Sequence, residues 1–442
     1  MTETNKRLRS PLYAQIELTY ACNLGCSHCY NEPRFSNENG LVQLKRVKKE
    51  RTELDKFSEI ADELGKNDLF SVSLTGGEAF AVRDRLFSSI EALSKHNIDV
   101  TINSNLTLVT EDDAKQLRDL GVIAVMTSLI SYDPITHDTI TNREGSHSMT
   151  LRGIDRLLSQ GIYVASNMVV SKHNLDQVLE TGKFVHSLGV GSFSTAQAVP
   201  SNSGGQMHLD HALTSDQVLQ YLEALHQVRL TTGMHIRLTN PLPYCRVWES
   251  HPHLRYIVES ASCTAGRSII QVDPYGEVKP CPMVGTGYGN ILTDGLAKVW
   301  SKMSEWDENK YVPETCKPCD LVEICKGACR AEAERMVGSL DSKHPYSVKP
   351  VKLEEVANNT HNETLYLGQK IKAANGIRAR KEDEDTYVLY ATGDRYLFAG
   401  AGAAKIISTI SQTKGLVVDE RIIQNPEMIS ILSQGLQSGI LM

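Results

Sequence analysis

Nine of the ten cysteines fall into two groups, and their spacing is the strongest constraint on what this 442-residue chain can fold into. The first group, Cys22, Cys26 and Cys29, has the spacing Cys-x3-Cys-x2-Cys. A short loop after a strand can turn three such thiolates onto one cage of iron and sulfide. Iron–sulfur clusters usually have four thiolate ligands, so three leave one iron open. A structural zinc is the alternative, and its fourth ligand would have to be a nearby Cys or His, such as His28.

The composition favours a protein of a reducing compartment. The net charge of -7 argues against a general nucleic-acid binder, which would show a basic stripe. No apolar run reaches the roughly 18 residues of a membrane span, and the polar stretch from Met1 to Pro11 lacks the apolar centre of a signal peptide. We therefore expect a cytoplasmic protein that binds neither nucleic acid nor membrane, with cysteines that bind metal rather than form disulfides.

Strands and helices alternate through the first half of the chain. The predicted strands are Tyr13–Thr19, Leu69–Leu74, Ile98–Ile102, Ile123–Leu129, Ile162–Val170 and Ser192–Ala198. The predicted helices are Leu41–Leu64, Asp84–His96, Glu111–Leu120, Met149–Gln160 and Leu175–Leu188. This alternation indicates an α/β fold with a parallel sheet, and its rhythm predicts a partial (β/α)6 barrel. Sites on such barrels lie at the carboxyl ends of the strands.

The turn after the second strand reads Gly76-Gly77-Glu78. Glycines let backbone approach a ligand closely, and a carboxylate at the same edge of the sheet can pair with an ammonium group. By itself this turn indicates an ordinary strand-to-helix connection rather than a binding site.

Following a cysteine triplet, however, the turn completes a pattern that resembles the radical S-adenosylmethionine (SAM) enzymes. The resemblance implies that Cys22, Cys26 and Cys29 hold a [4Fe-4S] cluster whose fourth iron is chelated by SAM. It implies one-electron cleavage of SAM to methionine and a 5′-deoxyadenosyl radical that abstracts hydrogen from a substrate. His28, before the third cysteine, would touch the adenine, and the Gly-Gly-Glu turn would hold the amino group of SAM.

Further SAM contacts are implied at the ends of later strands. Ser104 and Asn105 lie where relatives place residues near the ribose, and Ser128 and Asn167 lie where relatives offer polar contacts. Each is also compatible with an ordinary polar residue at a strand end. Arg152 is near the position of an arginine that some relatives use on the SAM carboxylate, but its register differs. The sequence does not identify a catalytic acid or base.

The second cysteine group begins at Cys263, with Gly276 after twelve residues and Cys281 after four more. The stretch Ile269–Pro280 predicts a hairpin that turns at Asp273-Pro274-Tyr275-Gly276. The remaining cysteines have the spacing Cys-x2-Cys-x5-Cys-x3-Cys: Cys316, Cys319, Cys325 and Cys329. Two zinc ribbons are the alternative to iron–sulfur clusters.

This second pattern resembles the SPASM extension of radical SAM enzymes and matches six of its seven cysteines. The resemblance implies auxiliary iron–sulfur clusters, one held by Cys263, Cys281 and Cys329 and another by Cys316, Cys319 and Cys325. The seventh cysteine is replaced by His344-Pro345-Tyr346-Ser347. Cys245 would complete the first cluster or be a buried free thiol. The second would take Ser347, His344 or Asp320 as a ligand, keep an open iron, or become smaller.

The tail predicts a separate small domain. Residues 349–385 are polar and predict a linker, Thr386–Leu397 predicts two strands, and helical spacing follows in Ala401–Ser411 and Pro426–Leu436, before a closing strand at 439–441. This order resembles a PqqD-like winged-helix α+β domain, which binds leader peptides as an added edge strand. A packing module is the alternative. The predicted boundaries are 1–230 for the barrel, 231–348 for the cysteine-rich domain and 386–442 for the tail domain.

These patterns predict a radical SAM enzyme with a SPASM domain. We expect it to modify a peptide or protein, in particular a ribosomally made precursor peptide. We expect SAM, a SAM-binding [4Fe-4S] cluster and one or two auxiliary clusters as cofactors. A flavodoxin- or ferredoxin-type protein is the expected electron donor. One alternative is an enzyme that acts on a small molecule such as a tetrapyrrole. The other is a non-catalytic iron–sulfur electron-transfer protein.

Overall fold

The computed structural model describes residues 7–30, 34–36, 42–44, 57–200, 202–203, 206–207, 211–353, 365–393, 395–413 and 415–442. Two compact units are present: Ser10–Lys352, and Leu353–Met442 together with Met1–Arg9. Across the described ranges, no helix combines the length and the apolar character needed to cross a membrane.

The larger unit alternates strands and helices. Its strands are β1 (Tyr13–Glu17), β2 (Arg34–Ser36), β3 (Val42–Leu44), β4 (Ser71–Thr75), β5 (Asp99–Ser104), β6 (Ala124–Ser128), β7 (Tyr163–Val170), β8 (Ser192–Gln197), β9 (Asn202–Ser203), β10 (Gln206–Met207), β11 (His235–Leu238), β12 (Ile269–Val272), β13 (Glu277–Lys279) and β14 (Gly289–Asn290). Its helices are α1 (Phe57–Lys66), α2 (Arg83–Ser94), α3 (Glu111–Asp119), α4 (Pro134–Thr141), α5 (Ser146–Ser159), α6 (Val178–Ser187), α7 (Ser215–Thr232), α8 (Arg255–Val258), α9 (Leu296–Ser301), α10 (Ser304–Asp307), α11 (Val322–Cys325) and α12 (Arg330–Val337).

One ten-stranded sheet organises this unit, in the order β11-β8-β7-β6-β5-β4-β1-β12-β13-β14. Every pairing from β11 to β12 is parallel, while β13 and β14 continue the sheet in antiparallel orientation. The predicted α/β fold with a parallel sheet is therefore confirmed. The predicted hairpin is also present as β12 and β13, and β12 pairs directly with β1, so the cysteine-rich region continues the main sheet.

The two faces of the sheet differ in chemistry. Ile16, Leu74 and Ile102 are aligned across β1, β4 and β5 and are almost fully buried. Because neighbouring residues on a strand point to opposite faces, the adjacent row of Gln15, Ser73 and Thr101 covers the other face with polar groups. The apolar face packs against the helices, and the polar face is left to line the interior of the partial barrel.

The structure corrects three sequence predictions in this unit. The helix predicted for Leu41–Leu64 is a helix only from Phe57, and Val42–Leu44 is a strand; residues 45–56 lie outside the described part of the chain. The sequence predicts irregular structure for residues 231–258, a stretch that contains Pro241 and Pro243, but β11 lies within it. Helix α4 was not predicted; Asp133 caps its first turn through the Thr136 N–H, and Pro134 begins it.

The smaller unit is built around a three-stranded antiparallel sheet. Its strands are β15 (Lys370–Ile371), β16 (Arg378–Lys381), β17 (Thr386–Ala391), β18 (Arg395–Gly400) and β19 (Leu416–Val417), and its helices are α13 (Ala401–Ser411), α14 (Glu420–Ile423) and α15 (Pro426–Gln437). The sheet order is β16-β17-β18, β15 pairs with β19, and the predicted closing strand forms a bridge between Leu441 and Ala373. The predicted linker thus contains β15 and β16, because polar side chains on short edge strands give no apolar alternation to detect.

Candidate metal and SAM site

The first cysteine loop follows β1 and rests on the end of α4. The N–H of Gly25 donates to the carbonyl oxygen of Thr141 at 3.0 Å, and the N–H of Ser27 donates to that of Ile140 at 2.9 Å. Within the loop, Cys29 donates its N–H to the carbonyl oxygen of Cys26 at 3.2 Å. These hydrogen bonds hold the backbone of the loop against α4, so the fold itself sets where the three thiols lie.

All three cysteines of the triplet and His28 belong to this loop. Cys22 is buried, and Cys26, Cys29 and His28 are half-buried. The Leu24 N–H donates to the Cys22 sulfur at 3.4 Å, a contact that stabilises a thiolate. The loop therefore offers three thiols and one planar ring at the carboxyl end of a parallel strand.

The Gly-Gly-Glu turn packs directly against the segment that leads into this loop. Gly77 donates its N–H to the carbonyl oxygen of Thr19 at 2.7 Å, and Glu78 donates to that of Ala21 at 2.8 Å. A Cβ on Gly77 would lie 2.1 Å from the Ala21 carbonyl oxygen, and one on Gly76, with φ of +150°, would lie 2.5 Å from the Thr19 oxygen. The glycines thus permit a close approach between two segments of the chain itself.

The Glu78 carboxylate is buried and accepts three hydrogen bonds. They come from the Ser104 hydroxyl at 2.6 Å, the Asn105 N–H at 2.9 Å and the Phe80 N–H at 3.0 Å. Burial nevertheless raises its pKa above the ordinary value, and the hydrogen bonds and Arg83 oppose that shift. A buried carboxylate of this kind would gain from a cationic ligand, which is what the ammonium group of SAM would supply.

A chain of side chains joins Glu78 to the cysteine loop. Asn105 donates from Nδ2 to Oδ1 of Asn23 at 2.9 Å, and Asn23 donates from Nδ2 to the hydroxyl of Thr107 at 2.7 Å. Arg143 donates to the Asn23 carbonyl oxygen at 2.9 Å. The structure thus brings the predicted residues Glu78, Ser104 and Asn105 together with the triplet. Asn23, Thr107 and Arg143 were missed, because sequence spacing gives no signal for contacts across 82 to 120 residues.

Ser128 ends β6 and pairs directly with Asn167, which lies within β7. Ser128 is exposed, and Asn167 is half-buried and accepts from the Thr239 hydroxyl at 3.3 Å. They lie at the same carboxyl edge of the sheet as the cysteine loop. Neither is part of the hydrogen-bond chain from Glu78.

A second connection links the cysteine loop to the hairpin of the second cysteine group. The hydroxyl of Tyr20 donates to Oδ2 of Asp273 at 3.3 Å, and the rings of Tyr20 and Tyr275 pack edge to face. Burial is the main cause that raises the pKa of Tyr20, with the charges of Glu17 and Asp273 adding to it. Arg335 adds a further connection by donating to the carbonyl oxygens of Tyr30 and Met283 at 3.2 and 3.0 Å.

The later cysteines separate into two sets. Burial raises the pKa of Cys281 to about 11, with the charge of Cys263 adding to it. Burial likewise raises the pKa of Cys329, with the charges of Glu332, Cys281 and Cys263 adding to it. Cys263, Cys281 and Cys329 therefore lie close enough for their charges to act on one another. In the described residues, no three His, Cys, Asp or Glu side chains converge on one point as a single metal ion requires; an iron–sulfur cage instead places each thiolate on its own iron.

The other set is Cys316, Cys319 and Cys325, and it lines one pocket. Arg330 is buried, and burial lowers its pKa. The charges of cysteines from both sets, Cys263 among the first and Cys325 among the second, oppose that shift. Arg330 also donates to the carbonyl oxygens of Leu340 and Ser342 at 3.1 and 2.9 Å. A buried guanidinium at this place would offset the negative charge of clusters held on either side.

Comparison with known proteins gives two domain matches. Residues 16–185 match the radical SAM superfamily model, and residues 263–320 match the SPASM model, described as an iron–sulfur cluster-binding domain. The first match contains the triplet and Glu78, and the second contains four of the later cysteines, from Cys263 to Cys319.

Individual relatives are distant but cover most of the chain. The AdoMet-dependent heme synthase of Oleidesulfovibrio alaskensis is 24% identical over 343 residues, covering 74% of this chain and 85% of the relative. The mycofactocin maturase MftC of Mycobacterium tuberculosis is 26% identical over 370 residues, covering 80% and 87%. The crystal structure of Streptococcus suis SuiB bound to its precursor peptide SuiA has a TM-score of 0.59 at 18% identity, covering 77% of this chain and 76% of that one. This chain is thus a radical SAM enzyme that carries a SPASM iron–sulfur cluster-binding domain.

Proposed function

We propose that this radical SAM enzyme modifies a peptide, in particular a ribosomally synthesised precursor. The main observation in favour of this proposal is a strand edge in the smaller unit. Strand β18 pairs with β17 on one side, and among the described residues no strand pairs with its other side. Such an edge can bind an extended peptide through main-chain hydrogen bonds.

The opposite edge of the same sheet is less accessible. Arg9 donates through Nε to the carbonyl oxygen of Lys381 at 2.9 Å, and its N–H donates to the Glu382 carboxylate at 2.9 Å. These contacts cover one end of β16. We therefore assign β18 as the peptide-binding edge and propose that the smaller unit is a PqqD-like recognition domain. Two relatives support a peptide substrate: MftC is named a maturase, and SuiB was crystallised with a precursor peptide.

In this proposal, Cys22, Cys26 and Cys29 hold the SAM-binding [4Fe-4S] cluster. When bound, cluster and SAM supply a 5′-deoxyadenosyl radical from one added electron. Glu78 holds a cationic ligand group, because its carboxylate is buried and its pKa is raised by that burial. The backbone of Gly76 and Gly77 sets the position of Glu78 against the cysteine loop.

The other predicted contacts follow the same logic. His28 would stack on the adenine, and Ser104 and Asn105 would orient the nucleoside end of SAM by holding both Glu78 and the cysteine loop. Ser128 and Asn167 would complete the polar edge of the sheet. We propose that the later cysteines hold two auxiliary clusters and that a flavodoxin- or ferredoxin-type protein supplies the electron.

A second candidate substrate is a tetrapyrrole. The heme synthase relative favours this candidate, because the match to it covers 85% of its length, close to the 87% for MftC. The outer edge of β18 argues for the peptide, because a tetrapyrrole has no peptide backbone that could pair with it. A non-catalytic electron-transfer role is not retained, since the chain is a radical SAM enzyme.

Anaerobic incubation of the reconstituted full chain with SAM, reductant and peptides encoded beside its gene tests the proposal. We expect a mass change on one peptide that depends on SAM and tracks the release of 5′-deoxyadenosine. A porphyrin-type tetracarboxylate serves as the competing substrate. Turnover of the tetrapyrrole with every peptide unchanged would overturn the proposal.

A further inference from the structure

We propose that Cys245 is the fourth thiolate ligand of the auxiliary cluster held by Cys316, Cys319 and Cys325. The proposal rests on the SPASM domain and is independent of the substrate. It reassigns a cysteine that the sequence left as a ligand of the first auxiliary cluster or as a free thiol. It also leaves Cys263, Cys281 and Cys329 as the three cysteines of that first cluster.

The geometric basis is one pocket that all four cysteines line. Cys245, Cys316, Cys319 and Cys325 line one partly open pocket together with Ser347. Cys245 reaches it from the turn Tyr244–Arg246, which follows β11, whereas the other three come from the segment around α11. Four thiols from two chain segments around one pocket make the arrangement that a four-iron cage requires.

Ser347 stands at a position where SPASM relatives have a cysteine, so this cluster needs a ligand from elsewhere in the chain. Ser347 lies in the segment where SPASM relatives carry their seventh cysteine, and it lines this same pocket. Cys245, which comes from another part of the chain, therefore takes the ligand position of the missing cysteine. Sequence spacing could not reveal this, because Cys245 precedes the whole cysteine pattern by 18 residues.

Backbone donors around the pocket fit sulfur ligands. The Val348 N–H donates to the Cys245 sulfur at 3.4 Å, and the Val351 N–H donates to the Cys319 sulfur at 3.3 Å. Both donors come from the segment that follows Ser347. Hydrogen bonds to ligand sulfurs are among the features by which proteins adjust cluster potentials. The segment thus contributes N–H groups to the site without contributing a cysteine.

Two of the other predicted ligands have different partners. His344 is buried, and its Nε2 lies 3.3 Å from the Glu332 carboxylate. Asp320 is paired with Lys352 at 3.0 Å. Neither residue lines the pocket, whereas Ser347 does. Cys245 and Ser347 are therefore the two ligands to compare.

Iron content and spectra of the auxiliary clusters test the assignment. The parent for these experiments is the full chain with Cys22, Cys26 and Cys29 replaced by Ala, which retains only the auxiliary clusters. Two four-iron clusters would give this parent about eight irons per chain. On oxidation, Cys245→Ala should lose about one iron more than this parent does and gain the paramagnetic signal of an additional three-iron cluster. Cys245→Ser should keep the iron and shift the reduction potential of one cluster, because the potential depends on the ligands of the iron.

Ser347 supplies the matched controls. Ser347→Ala should leave iron content, spectra and potentials as in the parent, and Ser347→Cys should restore the lost iron to Cys245→Ala. Parent-like iron and potentials in both Cys245 variants, or a change in Ser347→Ala alone, would overturn the assignment.

Thiol alkylation of the unsubstituted protein gives a test that requires no variant to fold. Iodoacetamide should modify Cys245 much more slowly in the cluster-loaded protein than after iron is removed by a chelator, as followed by peptide mass spectrometry. Modification of Cys245 at equal rates in the two forms would also overturn the assignment.

Discussion

The amide of Asn105 donates to the side-chain oxygen of Asn23 at 2.9 Å, and Asn23 directly follows Cys22. Asn105 also donates its N–H to Glu78. One residue at the end of β5 therefore holds both the cysteine loop and the carboxylate of the Gly-Gly-Glu turn. The two motifs, separated by some fifty residues in the sequence, form one hydrogen-bonded unit.

Replacing Asn105 with Ala should weaken SAM cleavage without removing the cluster. The change leaves Asn23 without its donor, which costs about 1–3 kcal/mol for a buried group, so 5′-deoxyadenosine formation should fall about tenfold or more. The iron content should remain that of the unsubstituted enzyme. Thr107→Ser, which keeps the hydroxyl next to Asn105, is the control and should be nearly as active. Unchanged SAM cleavage in Asn105→Ala would contradict the positioning role.

Replacing Gly77 with Ala should prevent the first cluster from assembling. The added Cβ would meet the Ala21 carbonyl oxygen at 2.1 Å, so either the turn or the cysteine loop must move. We expect a loss of about four irons per chain together with all SAM cleavage. Gly285→Ala is the control, because nothing lies within 4 Å of its Cβ position. A Gly77→Ala enzyme with full iron content and activity would refute the close approach.

Replacing Cys22, Cys26 and Cys29 together with Ala should abolish 5′-deoxyadenosine formation under anaerobic, reducing conditions. About four irons per chain should be lost, because the auxiliary cysteines belong to separate sets. The corresponding change of Cys263, Cys281 and Cys329 is the control, since it removes auxiliary iron and leaves the triplet intact. Persistent SAM cleavage in the triplet variant would rule out its role. Zinc in place of iron after anaerobic purification would do the same for the iron–sulfur assignment.

Much of this arrangement could be predicted from sequence because it is local. The Cys22–Cys29 triplet and the Gly-Gly-Glu turn each extend over fewer than thirty residues, and each predicted strand or helix is recognised from its own sequence pattern. Helix α4 was missed, since its sequence, Pro134–Thr141, is short and has little apolar periodicity. Yet α4 supports the cysteine loop. The grouping of Cys245 with Cys319 likewise depends on tertiary folding, which spacing does not encode.

The support under the loop should make the fold sensitive to acid through His137 on α4. Burial lowers the pKa of His137 from 6.5 to about 4, with the charge of His147 adding to this shift and Asp138 opposing it. The unfolded chain therefore takes up this proton at a higher pH than the folded chain. The associated stability is complete above pH 6.5 and is lost as the pH falls toward about 4, amounting to about 3 kcal/mol.

Thermal unfolding between pH 7.5 and 5 would reveal this effect as a difference between variants. His137→Gln removes the titrating group and should show a flatter decline of the unfolding midpoint than the unsubstituted protein. His186→Gln, at an exposed position of α6, is the control and should follow the unsubstituted protein. Identical pH dependence in all three proteins would show that His137 does not carry the effect.

The smaller unit gives the sharpest test of peptide recognition. Because β16 pairs with β17 and the compact unit begins at Leu353, a truncation should end at Lys352 rather than at the predicted boundary before residue 386. The enzyme truncated at Lys352 should still cleave SAM in the absence of peptide. It should modify the precursor peptide much more slowly when the peptide is dilute, since recruitment is lost. Unchanged turnover of dilute peptide would exclude recognition by this unit.

Two proline variants of β18 separate recognition from folding. Successive residues of an edge strand direct their N–H groups alternately toward the sheet and outward, and proline removes the N–H. Of Leu397→Pro and Phe398→Pro, one therefore removes a bond to β17 and the other removes an outward donor. We expect one variant to keep the unfolding midpoint of the parent and yet to lose peptide affinity, measured by fluorescence anisotropy with a labelled leader peptide. If the variant with the intact midpoint binds the leader as the parent does, the β18 edge is not the peptide site.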